Sequence, residues 1–153
     1  MIAESLAGKR IAITGSTGFV GTALVERLLR AVPDCELVLL VRPGRRTSPA
    51  ERVRKEILKN DAFDRLRKDL TDSAEDFDAM CARRITTIAG DVSSDGLGLA
   101  DADRAILATC DIVIHSAAAV SFDSPLDSAI EINLLGPTRI AHTLQDLKVT
   151  PHL

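Results

Sequence analysis

The stretch Arg10-Ile-Ala-Ile-Thr-Gly-Ser-Thr-Gly-Phe-Val-Gly21 decides the fold of this 153-residue chain. Its apolar start, Ile11 to Ile13, is typical of a strand buried on both faces, as in a parallel sheet. The strand is expected to stop at Thr14-Gly15, where a tight turn needs a residue without a Cβ atom. A helical pattern then begins near Gly18, and its apolar stripe is made by Leu24, Val25, Leu28 and Leu29. The sequence therefore predicts a strand, a glycine-rich turn and a helix in that order.

This arrangement predicts a site for a phosphate group. The first amide groups of a helix have no partner inside the helix, and the helix dipole favours an anion beside them. We expect Gly15 to make the turn, Gly18 to let a pyrophosphate approach the backbone, and Gly21 to let helix and strand pack closely. The spacing GxxGxxG differs from the GxGxxG dinucleotide fingerprint, and a turn that only connects strand to helix is the alternative. The strand before the turn and the amphipathic helix after it favour a nucleotide site.

Composition is that of a soluble globular protein with one domain over residues 1–153. Hydrophobic residues make up 46% of the chain and charged residues 27%, which is ordinary for this class. No apolar run approaches the ~20 residues that a membrane span needs, and the N-terminus lacks the pattern of a secretory signal. Three cysteines without metal-ligand spacing predict reduced thiols in a cytoplasmic protein and no metal site. A net charge of −3 argues against general nucleic-acid binding.

The end of the second predicted strand, Glu36–Val41, indicates which cofactor binds. In dinucleotide folds this strand end reaches the adenosine ribose, where a carboxylate selects NAD and an arginine accepts the 2′-phosphate of NADP. Here the strand is followed by Arg42-Pro43-Gly44-Arg45-Arg46, without a carboxylate. Arginine suits phosphate because its fork donates two parallel hydrogen bonds and stays charged. We therefore predict NADP(H) with Arg42 as the main contact, and Arg52 as either a second contact or a solvated helix residue.

Residues 49–81 predict a helical insertion between the second and third strands, with helices over 51–59, 63–70 and 73–81. It either shapes a wall of the site or covers the surface. The third strand is predicted over 84–89, and it ends at Gly90-Asp91-Val92. There the Asp91 carboxylate either accepts a hydrogen bond from the adenine amine or caps a turn. A helix over 103–110 is expected to be capped by Asp101.

The fourth strand is predicted over 111–115 and is followed by small residues, Ser116 to Ala119. Small side chains there let the nicotinamide ribose and the pyrophosphate lie against the backbone. We interpret His115 as an ordinary histidine at a strand end, without a role in proton transfer. A long helix is predicted from Pro125 through Leu147. It contains Asn133, which needs hydrogen-bond partners if it is buried and no special function if it is exposed.

Taken together, these stretches resemble the fatty acyl-CoA reductases, a group of extended short-chain dehydrogenase/reductases. The most specific part is the pattern Ala-Ala-x-x-x-Phe-Asp-x-Pro-Leu followed by Asn-x-x-Gly, which distinguishes this group from epimerases and sugar dehydratases. The matching stretches are the Thr-Gly-x-x-Gly-x-x-Gly turn, Val41-Arg42-Pro43, Gly90-Asp91-Val92, Gly96-Leu97-Gly98-Leu99, residues 115–126 and residues 131–137.

The resemblance implies an α/β fold, the N-terminal part of a Rossmann-like doubly wound parallel sheet. About four strands, the start of a fifth and the insertion between strands 2 and 3 are expected. It implies NADPH-dependent reduction of fatty acyl-CoA thioesters to aldehydes or alcohols. Asn133 matches an asparagine that, in the wider superfamily, supports the catalytic lysine through water. The implied cofactor contacts are Gly15, Ser16, Thr17, Gly18, Phe19, Val20, Gly21, Arg42, Asp91, Val92, Ala117, Ala118 and Ala119.

One departure from the group concerns the catalytic residues. Its chemistry needs a Ser/Thr and a Tyr-x-x-x-Lys pair, in which lysine lowers the tyrosine pKa so that the phenol can exchange a proton with substrate. This sequence contains no tyrosine. We therefore expect a cofactor-binding half that stops before the catalytic region and is inactive alone. Its fourth strand should lie at a sheet edge, which predicts self-association or pairing with a C-terminal half.

Two other interpretations stay open. One is a thioester reductase domain on a carrier-protein assembly, or another extended reductase, although residues 122–126 argue against it. The other is a non-catalytic module that binds NADP(H) for regulation, which the absence of tyrosine favours.

Overall fold

Four parallel strands form one sheet in the computed structural model, which describes residues 2–71, 73–121, 123 and 125–153. The chain runs from β1 outward through β2 to β3 and then returns to the other side of β1, so that the order is β3-β2-β1-β4. This reversal beside β1 is the hallmark of a doubly wound sheet, and the predicted Rossmann-like α/β fold is confirmed. The strands are β1 (Arg10–Thr14), β2 (Glu36–Val41), β3 (Ile85–Ala89) and β4 (Ile112–His115).

Helices cover both faces of this sheet. Two of them continue into π-helical turns, at Val53–Leu58 after α3 and at Ile130–Leu134 between α7 and α8, and 3₁₀ turns lie at Asp61–Phe63 and Asp95–Gly98. The α-helices are α1 (Ile2–Leu6), α2 (Phe19–Ala31), α3 (Pro49–Arg52), α4 (Asp64–Asp69), α5 (Phe77–Arg84), α6 (Asp101–Leu107), α7 (Leu126–Ala129) and α8 (Leu135–Asp146). None of the helices in the described part of the chain combines the length and apolar character needed to cross a membrane.

The two central strands are buried on both faces, as their unbroken apolar runs predict. Because side chains alternate along a strand, Ile11 and Ile13 of β1 pack with α2 and the insertion, whereas Ala12 points to the opposite core. The same alternation sends Leu37, Leu39 and Val41 of β2 to the first core. The second core holds Val38 and Leu40 together with α6 and α8. Two apolar layers therefore fix the sheet between its helices.

The insertion between β2 and β3 belongs to the first core and is not only a surface cover. Ile57 and Phe63 are fully buried in it, and the Phe63 ring meets Phe77 edge-on with centroids 5.9 Å apart. The predicted helix over 73–81 begins later, at Phe77. The Asp76 carboxylate caps α5 by accepting a hydrogen bond from the Ala79 N–H at 2.7 Å.

Two other predicted boundaries are wrong by a few residues. Helix α6 begins at Asp101, so this residue lies in the first turn and is not the cap, and the Asp103 carboxylate instead accepts a hydrogen bond from the Ala89 N–H at 3.0 Å. Arg84 was predicted to begin β3 but is the last residue of α5. Local sequence patterns place such ends poorly, because tertiary hydrogen bonds decide them.

The Arg84 guanidinium joins α5 to the C-terminal end of α2 inside the protein. Only 6% of the residue is exposed. Its Nε donates to the Cys35 carbonyl at 2.8 Å, and its two Nη atoms donate to the Leu29 and Val32 carbonyls at 2.7 Å. The carbonyls at a helix end carry partial negative charge and lack partners within the helix. A buried cation thus satisfies the end of α2 where it turns into β2.

Residues at the start of the predicted fifth strand pair with the outer edge of β4. The Val113 N–H donates to the His152 carbonyl at 2.7 Å, and the His152 N–H donates to the Asp111 carbonyl at 3.0 Å. This pairing is a parallel bridge between Ile112 and His152. Self-association through this edge stays a prediction.

Replacing Arg84 by methionine should destabilise the protein by about 3 kcal/mol, because three buried carbonyls lose a charged donor. The free energy of unfolding is measured by urea denaturation with circular dichroism, since the sequence has neither Trp nor Tyr to follow by fluorescence. The matched control is Arg83→Met. That neighbour is exposed, bonds Glu75 at 2.8 Å, and should change stability by no more than about 0.5 kcal/mol. Equal losses in the two variants would contradict the role of Arg84.

Candidate functional site

A cleft of about 260 Å³ lies at the carboxyl ends of the four strands. It opens where the sheet order reverses, which is the usual ligand position in doubly wound folds. Every strand contributes through the loop that follows it. The lining residues are Thr14, Gly15, Thr17, Gly18, Leu40, Val41, Arg42, Arg52, Gly90, Asp91, Val92, Ser116, Ala117, Ala118 and Ile132.

The glycine-rich turn is built around close backbone contacts. Gly15 has φ +70°, and a Cβ atom there would lie 2.4 Å from the Ala117 nitrogen. A Cβ atom at Gly21 would lie 2.2 Å from the Gly15 carbonyl oxygen. Thr22 ties the first turn of α2 to this loop, because its hydroxyl donates to the Ser16 carbonyl at 3.0 Å. Both Gly15 and Gly21 therefore play the structural parts that the spacing predicted.

The seven predicted contacts of this turn occupy different positions. Gly15, Thr17 and Gly18 line the cleft, and Gly21 lies beneath the turn. Ser16 is 1% exposed, and among the described residues its hydroxyl has no hydrogen-bond partner. Phe19 and Val20 instead expose 94% and 65% of their surface to solvent at the start of α2. At this turn, Gly15, Thr17 and Gly18 line the cleft, and these two apolar side chains do not.

Arg42 and Asp91 face each other at the ends of β2 and β3. The Arg42 Nη1 lies 3.8 Å from the Asp91 Oδ2, and the Arg42 side chain is 67% exposed. Burial alone would raise the pKa of Asp91. Hydrogen bonds to its Oδ1 from the N–H and hydroxyl of Ser93, together with the charge of Arg42, outweigh burial and lower that pKa. The Asp91 carboxylate is thus ionised at neutral pH, and most of the Arg42 side chain stays open to solvent.

Arg52 is the last residue of α3, and its side chain reaches the cleft. Its Nη1 donates to the Arg42 carbonyl at 2.7 Å. Its Nε and Nη2 donate to the two carboxylate oxygens of Glu56, each at 2.7 Å. The structure therefore brings the two predicted phosphate-binding arginines together.

The loop after β3 is shaped by a turn at residues 96–98, within the Gly96-Leu97-Gly98-Leu99 stretch that resembles the family pattern. Gly96, Leu97 and Gly98 all have φ near +60°, which is costly for a bulky residue such as leucine. Leu97 accepts this conformation while its side chain is fully buried and its carbonyl receives the Asp91 N–H at 2.8 Å. The two glycines that flank Leu97 were the available signal for such a turn. The turn holds Asp91 at the cleft, and Val92 beside it is buried.

The loop after β4 is held by Asn133, which lies in the π-helical turn before α8. The Asn133 Oδ1 accepts a hydrogen bond from the Ala119 N–H at 2.7 Å, and its Nδ2 donates to the Ala119 carbonyl at 2.9 Å. Asn133 thus pairs with Ala119 as a neighbouring strand would, and Ala117 and Ala118 line the cleft just before it. Support of a catalytic lysine by Asn133 stays a prediction. The motif residues Phe122 and Ser124 lie outside the described residues.

His115 ends β4 beside the cleft. Its Nδ1 lies 2.6 Å from the Thr14 hydroxyl, which also receives the Ala117 N–H at 3.4 Å. Burial lowers the pKa of His115, which keeps the ring neutral at pH 7. Because a hydroxyl has one proton and two lone pairs, the Thr14 hydroxyl can accept from the Ala117 N–H and either donate to Nδ1 or accept from it. Thr14 was not among the predicted site residues, although it is the threonine of the Thr-Gly-x-x-Gly-x-x-Gly turn.

The described residues contain no group of three or more His, Cys, Asp or Glu side chains that could hold a metal ion. The cysteines Cys35, Cys81 and Cys110 are all buried and free. Burial raises the pKa of the Cys81 thiol to about 12 and that of Cys110 to about 11. These two thiols are therefore protonated and unreactive at neutral pH.

Replacing Gly21 by alanine should destabilise the protein by about 2–3 kcal/mol, because α2 must move away from the Gly15 carbonyl. The matched control is Gly136→Ala in α8, where a Cβ atom would meet Val92 at an ordinary 3.6 Å and alanine is the better helix former. Urea denaturation of both variants makes the comparison. A Gly21→Ala variant as stable as Gly136→Ala would show that the close contact is not required.

Replacing Asn133 by alanine should speed hydrogen exchange of the Ala119 amide by about tenfold, because the side-chain acceptor is lost. Exchange is followed by nuclear magnetic resonance on the labelled protein. Thr138→Ala is the control, since it removes a helix-surface hydroxyl that bonds only the Leu134 carbonyl in the described structure. Unchanged exchange at Ala119 in the Asn133 variant would contradict this assignment.

Known proteins resemble this chain in sequence and in fold. The chain matches the family model described as male sterility protein over residues 13–152. It is 34% identical over 149 residues to fatty acyl-CoA reductase 1 of Xenopus laevis, covering 96% of this chain and 27% of that protein. Over 140 residues it is 35% identical to fatty acyl-CoA reductase 1 of Arabidopsis thaliana, covering 90% of this chain and 28% of that protein. The chain thus spans little more than a quarter of each relative.

A solved structure shows the same architecture. The terminal R domain from the myxalamid PKS-NRPS biosynthetic pathway matches with a TM-score of 0.68 at 28% identity, covering 94% of this chain and 33% of that one. The fold, the cleft at the strand ends and the sequence matches agree with one another. Because the family model covers most of its length, this chain belongs to the male sterility protein family of NAD-binding reductase domains, as its resemblance to fatty acyl-CoA reductases predicted.

Proposed function

We propose that this chain is the NADPH-binding part of an enzyme that reduces fatty acyl-CoA thioesters to an aldehyde or an alcohol. The observation that carries the choice of cofactor is Arg42, whose side chain is 67% exposed at the cleft end of β2. In this fold class that position adjoins the adenosine 2′-hydroxyl, where arginine accommodates the 2′-phosphate of NADP. Arg52 lies beside it and lines the same cleft.

The residues of the glycine-rich turn fit a dinucleotide pyrophosphate. The buried Ser16 hydroxyl, which is unpartnered among the described residues, is a polar group for which a bound phosphate would supply a partner. Side chains at Gly15 and Gly21 would fill the space that the turn needs, and the start of α2 supplies unpaired amide groups. We assign the pyrophosphate to this turn and the adenosine 2′-phosphate to Arg42 and Arg52.

The remaining assignments follow the strand order. Asp91, with its ionised carboxylate, and buried Val92 are assigned to the adenine side of the cleft. Ala117, Ala118 and Ala119 are assigned to the nicotinamide side, where Asn133 holds their backbone. Small side chains in this loop leave the backbone accessible.

Bound NADPH would supply the hydride that a thioester carbonyl needs. Reduction to the aldehyde also takes up one proton and releases the thiol of coenzyme A as NADP⁺ forms. The sequence holds no tyrosine, so we propose that the proton donor lies outside these 153 residues and that this chain alone is inactive. Acyl-CoA as substrate follows from the names of the relatives and from residues 122–126 of the motif.

Calorimetric titration of the purified chain with NADPH and NADH tests the cofactor assignment. We expect NADPH to bind at least about tenfold more tightly than NADH, because one charge-assisted pair to phosphate contributes about 1.5–3 kcal/mol. Arg42→Ala should remove most of that preference while NADH binding stays within about twofold.

The matched control is Arg45→Ala, an arginine of the same basic loop that does not line the cleft in the described structure. It should bind both cofactors as the wild type does. Equal affinity of the wild type for NADPH and NADH would refute the NADP assignment.

A second candidate function is a reductase domain that acts on a thioester held by a carrier protein. The fold similarity to the myxalamid R domain supports this candidate. Its sequence identity to this chain is 28%, lower than the 34% of the Xenopus laevis reductase. Joining the chain to the C-terminal region of a relative such as the Xenopus laevis reductase, and comparing acyl-CoA with acyl-carrier protein as substrates, would separate the two. Tight NADPH binding without reduction of either thioester would favour a regulatory module instead.

A further inference from the structure

In the described part of the chain, Glu56 reaches the cleft through its hydrogen bonds to Arg52. Its carboxylate oxygens receive the Arg52 Nε and Nη2, both at 2.7 Å, which is a bidentate pair. The Arg52 side chain is 20% exposed, whereas that of Glu56 is 41% exposed. Of these two described residues, Arg52 lines the cleft and Glu56 does not. The Glu56 carboxylate thus fixes the Arg52 guanidinium without lining the cleft itself.

The pair leaves Arg52 with donors to spare. A guanidinium has five N–H groups, of which Glu56 takes two and the Arg42 carbonyl takes one. One N–H therefore remains on each Nη atom. Both remaining N–H groups are charged donors of the kind that phosphate oxygens accept.

The same contacts link Arg52 to the strand end that carries Arg42. Because Arg52 Nη1 donates to the Arg42 carbonyl at 2.7 Å, turning the Arg52 side chain would release the backbone at the point where Arg42 leaves β2. Arg52 has a long, flexible side chain, so holding it in one pose lowers the entropy that phosphate binding must otherwise remove. Glu56 supplies that restraint.

We propose that Glu56 is a positioning residue for recognition of the adenosine 2′-phosphate: it orients Arg52 as the second phosphate ligand and, through Arg52, steadies the backbone of Arg42. This inference rests on the proposed NADP preference. It assigns no direct contact between Glu56 and the cofactor. The negative charge of Glu56 faces Arg52. We expect the gain in affinity from orienting Arg52 to exceed the repulsion between Glu56 and a phosphate bound on the opposite side of the Arg52 guanidinium.

Adenosine 2′,5′-bisphosphate and AMP, titrated calorimetrically, test the proposal on the adenosine half of the site alone. They differ by the 2′-phosphate. We expect Glu56→Ala to weaken bisphosphate binding about fivefold while AMP binding stays within about twofold. In an Arg52→Ala background, the Glu56→Ala change should have no further effect, because Glu56 acts only through Arg52.

Glu51→Ala is the matched control for the loss of one carboxylate from the same segment. Glu51 bonds the Ser48 N–H at 2.9 Å as part of the helix cap, and in the described structure its carboxylate has no hydrogen bond to Arg52. This variant should keep the preference for the bisphosphate. Glu56→Gln, which retains one acceptor oxygen for Arg52, should recover part of the loss.

The outcomes separate the two proposals. A wild-type protein that binds bisphosphate no better than AMP overturns the NADP preference and this inference with it. A wild type that prefers the bisphosphate, combined with a Glu56→Ala variant that binds it equally well or better, overturns the role of Glu56 alone. So does a Glu56→Ala loss that persists in the Arg52→Ala background, or one shared equally by AMP.

Discussion

The contact between Gly21 and the Gly15 carbonyl is the constraint on which the site depends. With only a hydrogen atom at Gly21, helix α2 can begin directly against the turn that leaves β1. The Thr22 hydroxyl and the Ser16 carbonyl then close the corner. Because α2 is also held at its other end by the buried Arg84, its axis is fixed at both termini. Its first amide groups therefore face the cleft at the strand ends, where an anion is best stabilised.

The rest of the cleft is assembled from loops that are each held by a specific polar contact. Asn133 pairs with the backbone of Ala119 after β4, and the left-handed turn at Leu97 receives the Asp91 N–H after β3. Arg52 donates to the carbonyl of Arg42 after β2. Loops at strand ends would otherwise be mobile, and pre-ordered loops lower the entropic cost of binding a long ligand. Of these side chains, Asn133 lies in a π-helical turn and Arg52 directly precedes one, and such turns recur at functional sites.

Local patterns were reliable where burial was uniform and poor where tertiary bonds decide. The span of β2, Glu36–Val41, was predicted without error because Leu37 to Val41 is an unbroken apolar run. Arg84 was misplaced because an arginine before a β-branched run looks like a strand end, whereas its partners are three carbonyls distant in sequence. The predicted cap at Asp101 was wrong for a similar reason, since the helix begins at Asp101 itself and the neighbouring Asp103 carboxylate bonds the distant Ala89 amide of β3.

The candidate site divides in the same way. The sequence alone determined the glycine-rich turn, the basic residue after β2, the carboxylate after β3 and the small residues after β4, because each is tied to a strand end by local order. Parallel strands bring all of their carboxyl ends to one edge, so these residues meet in one cleft. Only the tertiary structure decided that Arg52 lies beside Arg42, that Glu56 holds Arg52, and that Asn133 bonds Ala119. Such contacts join residues from different elements, and their distances depend on how the helices pack on the sheet, which no local pattern encodes.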